Sequence, residues 1–327
     1  MNILVTGGAG YIGSHTVRLL VETGHNVVVY DNLGLGHRRA VTCPLVEGEL
    51  ADFHKLVETM KRHEIESVVH FAAFAAVGES VVDPGKYYRN NVAGSLSLLE
   101  AMRDCKVQRL VFSSTTATYG IPDTMPIAET ESQAPINPYG WSKLMMEQMM
   151  DDFATAHGLR FAALRYFNAA GAHPSGEIGE DHTPESHLIP IVLQVALGQR
   201  DQISVFGDDY PTPDGTCIRD YIHVCDLATA HLAALEKLSE LKTLHLNLGT
   251  GHGHSVLEVV EACREVTGHP IPFVVAERRP GDPPELVADS RKAQQLLGWK
   301  PRYESIREIA ETAWNWHKTH PRGYATI

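Results

Sequence analysis

The 327-residue sequence is poor in cysteine, with five, and Cys43, Cys105, Cys217, Cys225 and Cys263 are scattered and form no C-x-x-C pair. Such a set supports neither a disulfide framework nor a cysteine zinc site, and a reducing, cytoplasmic compartment is expected. Long apolar runs are absent. The best candidate, Val68 to Val77, is broken by His70 and falls short of the roughly 18 residues a membrane span needs. Ahead of the first glycine turn there is no basic segment, long apolar stretch or small-residue cleavage site, so a secretory signal is not expected. Positive charge is also scarce: 28 Lys and Arg stand against 40 Asp and Glu, a net charge of -12. No lysine- or arginine-rich run offsets it, which argues against binding a nucleic-acid backbone and leaves small anions open. The eighteen histidines include no H-E-x-x-H, and His182 with His187 lacks a third donor nearby. They are read as surface or hydrogen-bonded core residues, and no metal is expected.

What is present is an ordinary globular composition, 43% hydrophobic, sufficient for a core without staples. Up to about residue 167, short β-branched runs alternate with longer amphipathic stretches. The runs are Ile3-Thr6, Asn26-Tyr30, Leu45-Glu47, Ser67-Phe71, Arg109-Ser113 and Arg160-Tyr166, with helices predicted at about 11–23, 52–63, 85–104 and 138–157. Repeated βαβ units of this kind predict a doubly wound parallel sheet, an α/β fold of Rossmann type. Beyond Asn168, Gly, Pro, His and Asp crowd residues 171–187 and 207–216, which reads as long loops. Strands resume at Tyr221-Val224 and Leu244-Leu248, and helices at about 255–267, 289–297 and 304–318. The division expected is a nucleotide-binding domain over 1–170 and a smaller C-terminal α/β substrate lobe over 171–327, with a segment near 219–250 returning to the main sheet.

Directly after the first run comes Gly7-Gly8-Ala9-Gly10-Tyr11-Ile12-Gly13. Glycine here permits a tight turn, lets the backbone approach a pyrophosphate, and allows the following helix to pack on the strand, while the helix N-terminus offers amides to the phosphates. Asp31 follows Gly13 by 18 residues, close to the spacing of an acid that accepts ribose hydroxyls and repels a 2′-phosphate. The cofactor expected is therefore NAD. Tyr139 and Lys143 stand at i and i+4, on one face of a helix. An ammonium there is expected to stabilise the phenolate and lower the tyrosine pKa. Thr115, at the end of the run Arg109-Ser113, is placed to share a hydrogen bond with a substrate hydroxyl beside Tyr139.

These motifs resemble the extended short-chain dehydrogenase/reductase family, and within it the epimerases that act on nucleotide sugars. The narrower resemblance rests on the glycine turn continued to Ser14-His15, on Asp31-Asn32, Val77-Gly78-Glu79-Ser80 and Arg165-Tyr166-Phe167-Asn168, and on Asp214 through Val224. It extends to Arg279-Pro280-Gly281-Asp282 and Leu297-Gly298-Trp299-Lys300-Pro301, and so covers nearly the whole chain. It implies reversible inversion at C4 between UDP-glucose and UDP-galactose, with NAD regenerated at each turnover, and a homodimer formed through two helices of each subunit.

By that resemblance Thr115, Tyr139 and Lys143 are catalytic. Besides these three, Gly7, Gly10, Tyr11, Ile12, Gly13, Asp31, Asn32, Glu49, Leu50, Phe71, Ala72, Ala73, Asn90 and Phe167 line NAD. Besides Thr115 and Tyr139, the substrate is held by Asn168, His187, Leu188, Ser204, Val205, Phe206, Arg219, Arg279 and Asp282. Arg219 and Arg279 offer planar forks to a diphosphate, and Phe206 offers an apolar face to uracil. Leu286 occupies the place that gates N-acetylated sugars. A nucleotide-sugar 4,6-dehydratase would need an acid and a base after Thr115, where Thr116 and Ala117 stand. A UDP-glucuronate 4-epimerase or decarboxylase, and a non-catalytic dinucleotide sensor, remain as alternatives.

Overall fold

The computed structural model describes residues 1–279 and 281–325; Pro280 of the Arg279-to-Asp282 motif lies outside the described residues. Six β-branched segments form parallel strands: β1 (Asn2–Thr6), β2 (Asn26–Asp31), β3 (Leu45–Glu47), β4 (Ser67–His70), β5 (Arg109–Thr115) and β6 (Arg160–Tyr166). With β10 (Thr243–Leu248) they build one sheet in the order β10-β6-β5-β4-β1-β2-β3. Alternate side chains face opposite sides. Ile3, Val5 and Val29 pack with Leu20 of α1 (Tyr11–Glu22) and Leu227 of α8 (Val224–Lys237). Leu4, Val28 and Tyr30 pack on the other face with Leu56 of α2 (Phe53–Arg62), Leu98 of α5 (Gly94–Asp104) and Met146 of α6 (Pro138–His157). Burial on both faces is what the continuous apolar strands require.

Strand order fixes the site. The chain leaves β1 for β2 and β3, then crosses back to β4 on the other side of β1. The two directions diverge at the carboxyl ends of β1 and β4, the crevice where an open α/β sheet receives its ligand.

The second part of the chain is built from short strands: β7 (Asn168–Ala170) pairs with β9 (Ile218–His223), which also pairs with β11 (Gly253–Ser255) and β13 (Glu285–Leu286). A separate parallel pair joins β8 (Ile203–Phe206) to β12 (Phe273–Ala276). Between these strands, α7 (Leu188–Ala196), α9 (Val256–Thr267) and α11 (Ile306–Thr319) enclose a core containing Val192, Val259 and Ile309. α10 (Arg291–Leu297) sets its Ala293 and Leu297 in the main core.

Three departures from the sequence expectations have local causes. The helix expected over 85–104 is broken into α4 (Pro84–Tyr87), a wide π-type turn over Tyr88–Ala93, and α5, with α3 (Val77–Val82) preceding them. α8 follows β9 with no loop, because His223 ends the strand and caps the helix through Cys225 N at 3.1 Å. No turn residue marks that boundary. α7 carries Pro190 in its first turn, a tolerated position that reads as a breaker in sequence. No described helix is long and apolar enough to cross a membrane.

Candidate active site

The glycine turn joins β1 to α1 at the divergence point. Gly7 has φ +71°, and a Cβ on it would strike the backbone of Ala72; one on Gly13 would strike the carbonyl of Gly7. Gly10 caps α1 without any side-chain hydrogen bond, leaving the amides of the first turn for an anion, as a dinucleotide pyrophosphate demands. Ile12 is partly buried against the main core. The Tyr11 hydroxyl donates to the carbonyl of Gly171 at 2.6 Å, which ties the turn to the loop over 171–187.

At the end of β2, Asp31 accepts from Ala9 N and Leu33 N, each at 2.9 Å. Both carboxylate oxygens thereby brace the loop and keep a lone pair each for ribose hydroxyls. Asn32 donates to Glu49 at 3.1 Å, both side chains being exposed. Leu50 is buried and is the side chain a Cβ on Gly94 would meet. Phe71 and Ala72 both donate their amides to Thr6 O, which fixes the start of the segment containing Ala73 beside the turn. The residue set fits a bound dinucleotide: uncapped amides, a braced carboxylate, and a turn with no Cβ at Gly7, Gly8 and Gly10.

Thr115 ends β5, and its hydroxyl accepts from Ala117 N at 3.1 Å. Asn137 starts α6 by accepting from Gly140 N at 2.8 Å, with Pro138 in the first turn, so Tyr139 lies at the helix mouth. Lys143 follows one turn later, buried, and its ammonium donates to the Ser113 carbonyl at 2.7 Å. The expectation that Lys143 lowers the Tyr139 pKa needs correction. Burial holds the phenol above its ordinary value, and the hydrogen bond from the Thr115 hydroxyl offsets only part of that rise. The ammonium, 5.9 Å from the Tyr139 ring centre, is drawn instead to the strand-end carbonyl. Burial in turn lowers Lys143 to about 7, against the pull of Glu147 one turn further on.

The buried ammonium makes the stability of the fold depend on pH. Because its folded pKa lies below the unfolded value, the folded chain binds fewer protons between about pH 7 and 10.5, and stability rises with pH across that window. Lys143→Met is expected to lose turnover, to gain about 1–4 kcal/mol in urea unfolding at pH 7, and to lose the rise between pH 7 and 9. The comparison is made with NAD removed from both proteins.

Sequence reasoning missed two supports. Asn91, in the π-type turn beside Asn90, is buried; it accepts from Phe74 N at 2.9 Å and donates to Phe74 O and Ser142 Oγ at 3.0 Å. It thus holds the segment after β4 against α6, while Asn90 donates to Asn91 Oδ1 at 2.9 Å. Turns of this type recur at functional sites. Glu147 of α6 is buried and pairs with Arg165 of β6 at 2.5 Å, accepting also from Ser114 of β5 at 2.5 Å. A carboxylate one turn after Lys143 is the only signal for it in the sequence.

At the start of the second part of the chain, Phe167 joins β6 to β7, and Asn168 donates to Asp220 O at 3.2 Å. His187 and Leu188 open α7. Ser204 is exposed on β8, whereas the Val205 side chain is buried in the adjacent core, leaving only its main chain to meet a ligand. The Arg279 guanidinium stands 4.2 Å over the Phe206 ring, so the apolar face expected for uracil carries a cation in this structure. Arg219 pairs with Asp282, and Leu286 on β13 is in register with Arg219.

The reading of His182 and His187 also needs correction, since third and fourth donors are close by. Glu180 Oε1 lies 3.1 Å from His182 Nδ1 and 2.5 Å from His187 Nδ1, and Glu185 approaches both rings at 3.6–3.8 Å. All four residues sit in one loop ending at α7, with a spacing unlike the helical His pair of H-E-x-x-H.

Residues 3–249 match the NAD dependent epimerase/dehydratase family. The chain is 56% identical to a UDP-glucose 4-epimerase of Halalkalibacterium halodurans over 328 aligned residues, which cover 100% of this chain and 98% of that one. It is similar in structure to the Brucella ovis UDP-glucose 4-epimerase solved with NAD, with a TM-score of 0.94, 54% identity, and coverage of 96% and 97% of the two chains. The Bifidobacterium longum UDP-glucose 4-epimerase, solved with NAD+ and UDP, gives a TM-score of 0.95 at 41% identity, covering 99% of this chain and 100% of that one.

Proposed function

Because the chain belongs to the NAD dependent epimerase/dehydratase family, we propose that it inverts C4 of a UDP-hexose, interconverting UDP-glucose and UDP-galactose with one NAD that is regenerated at each turnover. The observation that carries this reading is the meeting, at one end of the parallel sheet, of an uncapped glycine turn, Thr115 and the Tyr139–Lys143 pair. Bound NAD supplies the hydride acceptor and donor. Tyr139 takes the proton of the C4 hydroxyl and gives it back after the sugar has turned over, with Thr115 orienting that hydroxyl. Lys143, whose ammonium is held by the Ser113 carbonyl, is assigned to the nicotinamide ribose.

Inversion requires the nucleotide to stay anchored while the hexose rotates. The polar anchors are assigned to UDP: Asn168, His187, Arg219, Arg279 and Asp282, with Leu188, Phe206 and the main chain at Ser204 and Val205 along the base. The planar arginine forks are the donors best matched to a diphosphate. Gly7, Gly10, Tyr11, Ile12, Gly13, Asp31, Asn32, Glu49, Leu50, Phe71, Ala72, Ala73, Asn90 and Phe167 are assigned to NAD. A homodimer is proposed through α5 and α6, on which Leu96, Trp141 and Met145 are exposed. Five free cysteines are consistent with a reducing, cytoplasmic setting.

The test is incubation with UDP-galactose, UDP-N-acetylgalactosamine and UDP-galacturonate separately, without added reductant or oxidant, followed by product identification. UDP-glucose is expected from the first, with bound NAD unchanged in amount. Retention of NAD without conversion of UDP-galactose would remove the assignment, and conversion confined to UDP-galacturonate would move it to the uronate branch.

A further inference from the structure

We propose that Glu180, His182, Glu185 and His187 form a site for one zinc ion. Each side chain offers one donor atom, and these atoms all lie within 4.8 Å of one another. Zinc bonds of about 2.0–2.2 Å at tetrahedral angles place neighbouring donors ~3.4 Å apart. Glu180 Oε1 lies 3.1 and 2.5 Å from the two Nδ1 atoms, and the two oxygens of Glu185 lie 3.8 Å from His182 Nδ1 and 3.6 Å from His187 Nδ1, so side-chain rotations that draw the Glu180 oxygen back and bring one Glu185 oxygen in open the cluster to the size of the ion. The charge matches as well: two carboxylates with two neutral imidazoles sum to -2.

The alternative to a metal is a pair of imidazolium ions. In that state both rings, their centres 5.4 Å apart, donate to Glu180 with Glu185 as the second carboxylate, and one divalent ion would satisfy the same two nitrogens and two carboxylates; the metal count separates the two states. Glu180 is deeply buried, its side chain 3% exposed, a position a carboxylate holds only when paired or metal-bound. Its main chain is pinned, the carbonyl accepting from Trp316 Nε1 at 3.0 Å. The edge of Tyr11 covers His182 with ring centres 6.2 Å apart, and α7 begins directly after His187. Donors held from both sides in this way are preorganised, as a structural metal site requires. Two imidazole nitrogens select zinc or a later transition ion over magnesium and calcium, which favour all-oxygen shells.

The ion would staple the loop over 171–187 beneath the glycine turn. Coordination through Nδ1 leaves the His187 proton on Nε2, making that nitrogen a hydrogen-bond donor. That consequence rests on the assignment of His187 to UDP made above; the metal site itself does not.

The experiment counts metal in untagged protein, stripped with a chelator and dialysed against zinc or magnesium. One zinc per chain is expected in the wild type and no retained magnesium. Glu180→Gln and the more exposed His182→Asn are each expected to abolish the bound zinc while NAD content, read on the same samples, reports folding. Chelation should lower the melting temperature of the wild type and leave that of the variants unchanged. The proposal is overturned if wild-type zinc does not exceed that of the folded variants, or if the bound metal survives in His182→Asn. Metal counting does not depend on turnover, so this result and the epimerase assay fail or succeed separately.

Discussion

Tyr139→Phe is expected to cut turnover of UDP-galactose by about 100- to 10,000-fold while the protein folds normally and keeps its NAD. The geometry makes the substitution clean. Tyr139 lies at the mouth of α6, whose start is set by Asn137 and Pro138, so the helix does not depend on the phenol. Loss of the hydroxyl leaves the Thr115 oxygen still accepting from Ala117 N and takes away only the acceptor of the Thr115 hydroxyl proton. What disappears is the group proposed to exchange a proton with the C4 hydroxyl. Turnover by single-time-point product analysis, NAD content of the purified variant, and reduced-nicotinamide absorbance after addition of UDP-galactose together read the outcome. A variant within a few-fold of the wild type would remove Tyr139 from the chemistry, whereas loss of NAD along with turnover would recast it as a binding residue.

The parts of this site that are local along the chain are legible in residue type and spacing. The glycine turn follows a strand by one residue, Asp31 ends the next, and Tyr139 and Lys143 share a helix face. Each depends on contacts within one βα unit, which sequence encodes directly. The supports are not legible because each joins distant segments through single hydrogen bonds. Asn91 meets Phe74 and Ser142, 17 and 51 residues away, and a polar residue inside a helical stretch announces no such partners. The expectation for Lys143 fails for a related reason. Spacing sets which residues share a face, but the position of a long side chain is decided by what lies opposite, here the Ser113 carbonyl on a strand 30 residues earlier. The Glu180–His187 cluster escapes a motif search because a loop brings donors together without a period.

Removing the charge of Glu147 tests the least legible of these supports, and Glu147→Gln is expected to destabilise the protein by about 3–5 kcal/mol. The carboxylate is 2% exposed. It meets Arg165 Nη2 at 2.5 Å and Ser114 Oγ at 2.5 Å, with His245 Nδ1 at 3.3 Å. The other side of Arg165 donates to Tyr119 Oη at 2.8 Å. Gln leaves the guanidinium buried without a counter-ion, the costly half of a broken pair. Burial alone would raise the Glu147 pKa, but the hydrogen bonds from His245, Arg165 and Ser114 hold it at about 2, below its ordinary 4.5. A depressed carboxylate stabilises the fold above pH 4.5, and the stability is lost as pH falls through about 2. The wild type should therefore weaken steeply across that window and Glu147→Gln less so, in urea melts at pH 7, 4 and 3. Function is touched by the same atom. Glu147 joins α6, which carries Tyr139 and Lys143, to β5, which ends in Thr115, and its charge raises Lys143. Variant molecules that remain folded should show reduced turnover, with its alkaline fall shifted to lower pH as the ammonium is lost earlier. An unchanged pH profile beside lowered stability would confine Glu147 to holding the helix. The double variant Glu147→Leu, Arg165→Met, which removes both charges, should recover part of the lost stability, and a further loss instead would show that the hydrogen bonds to Ser114 and Tyr119 outweigh the ion pair.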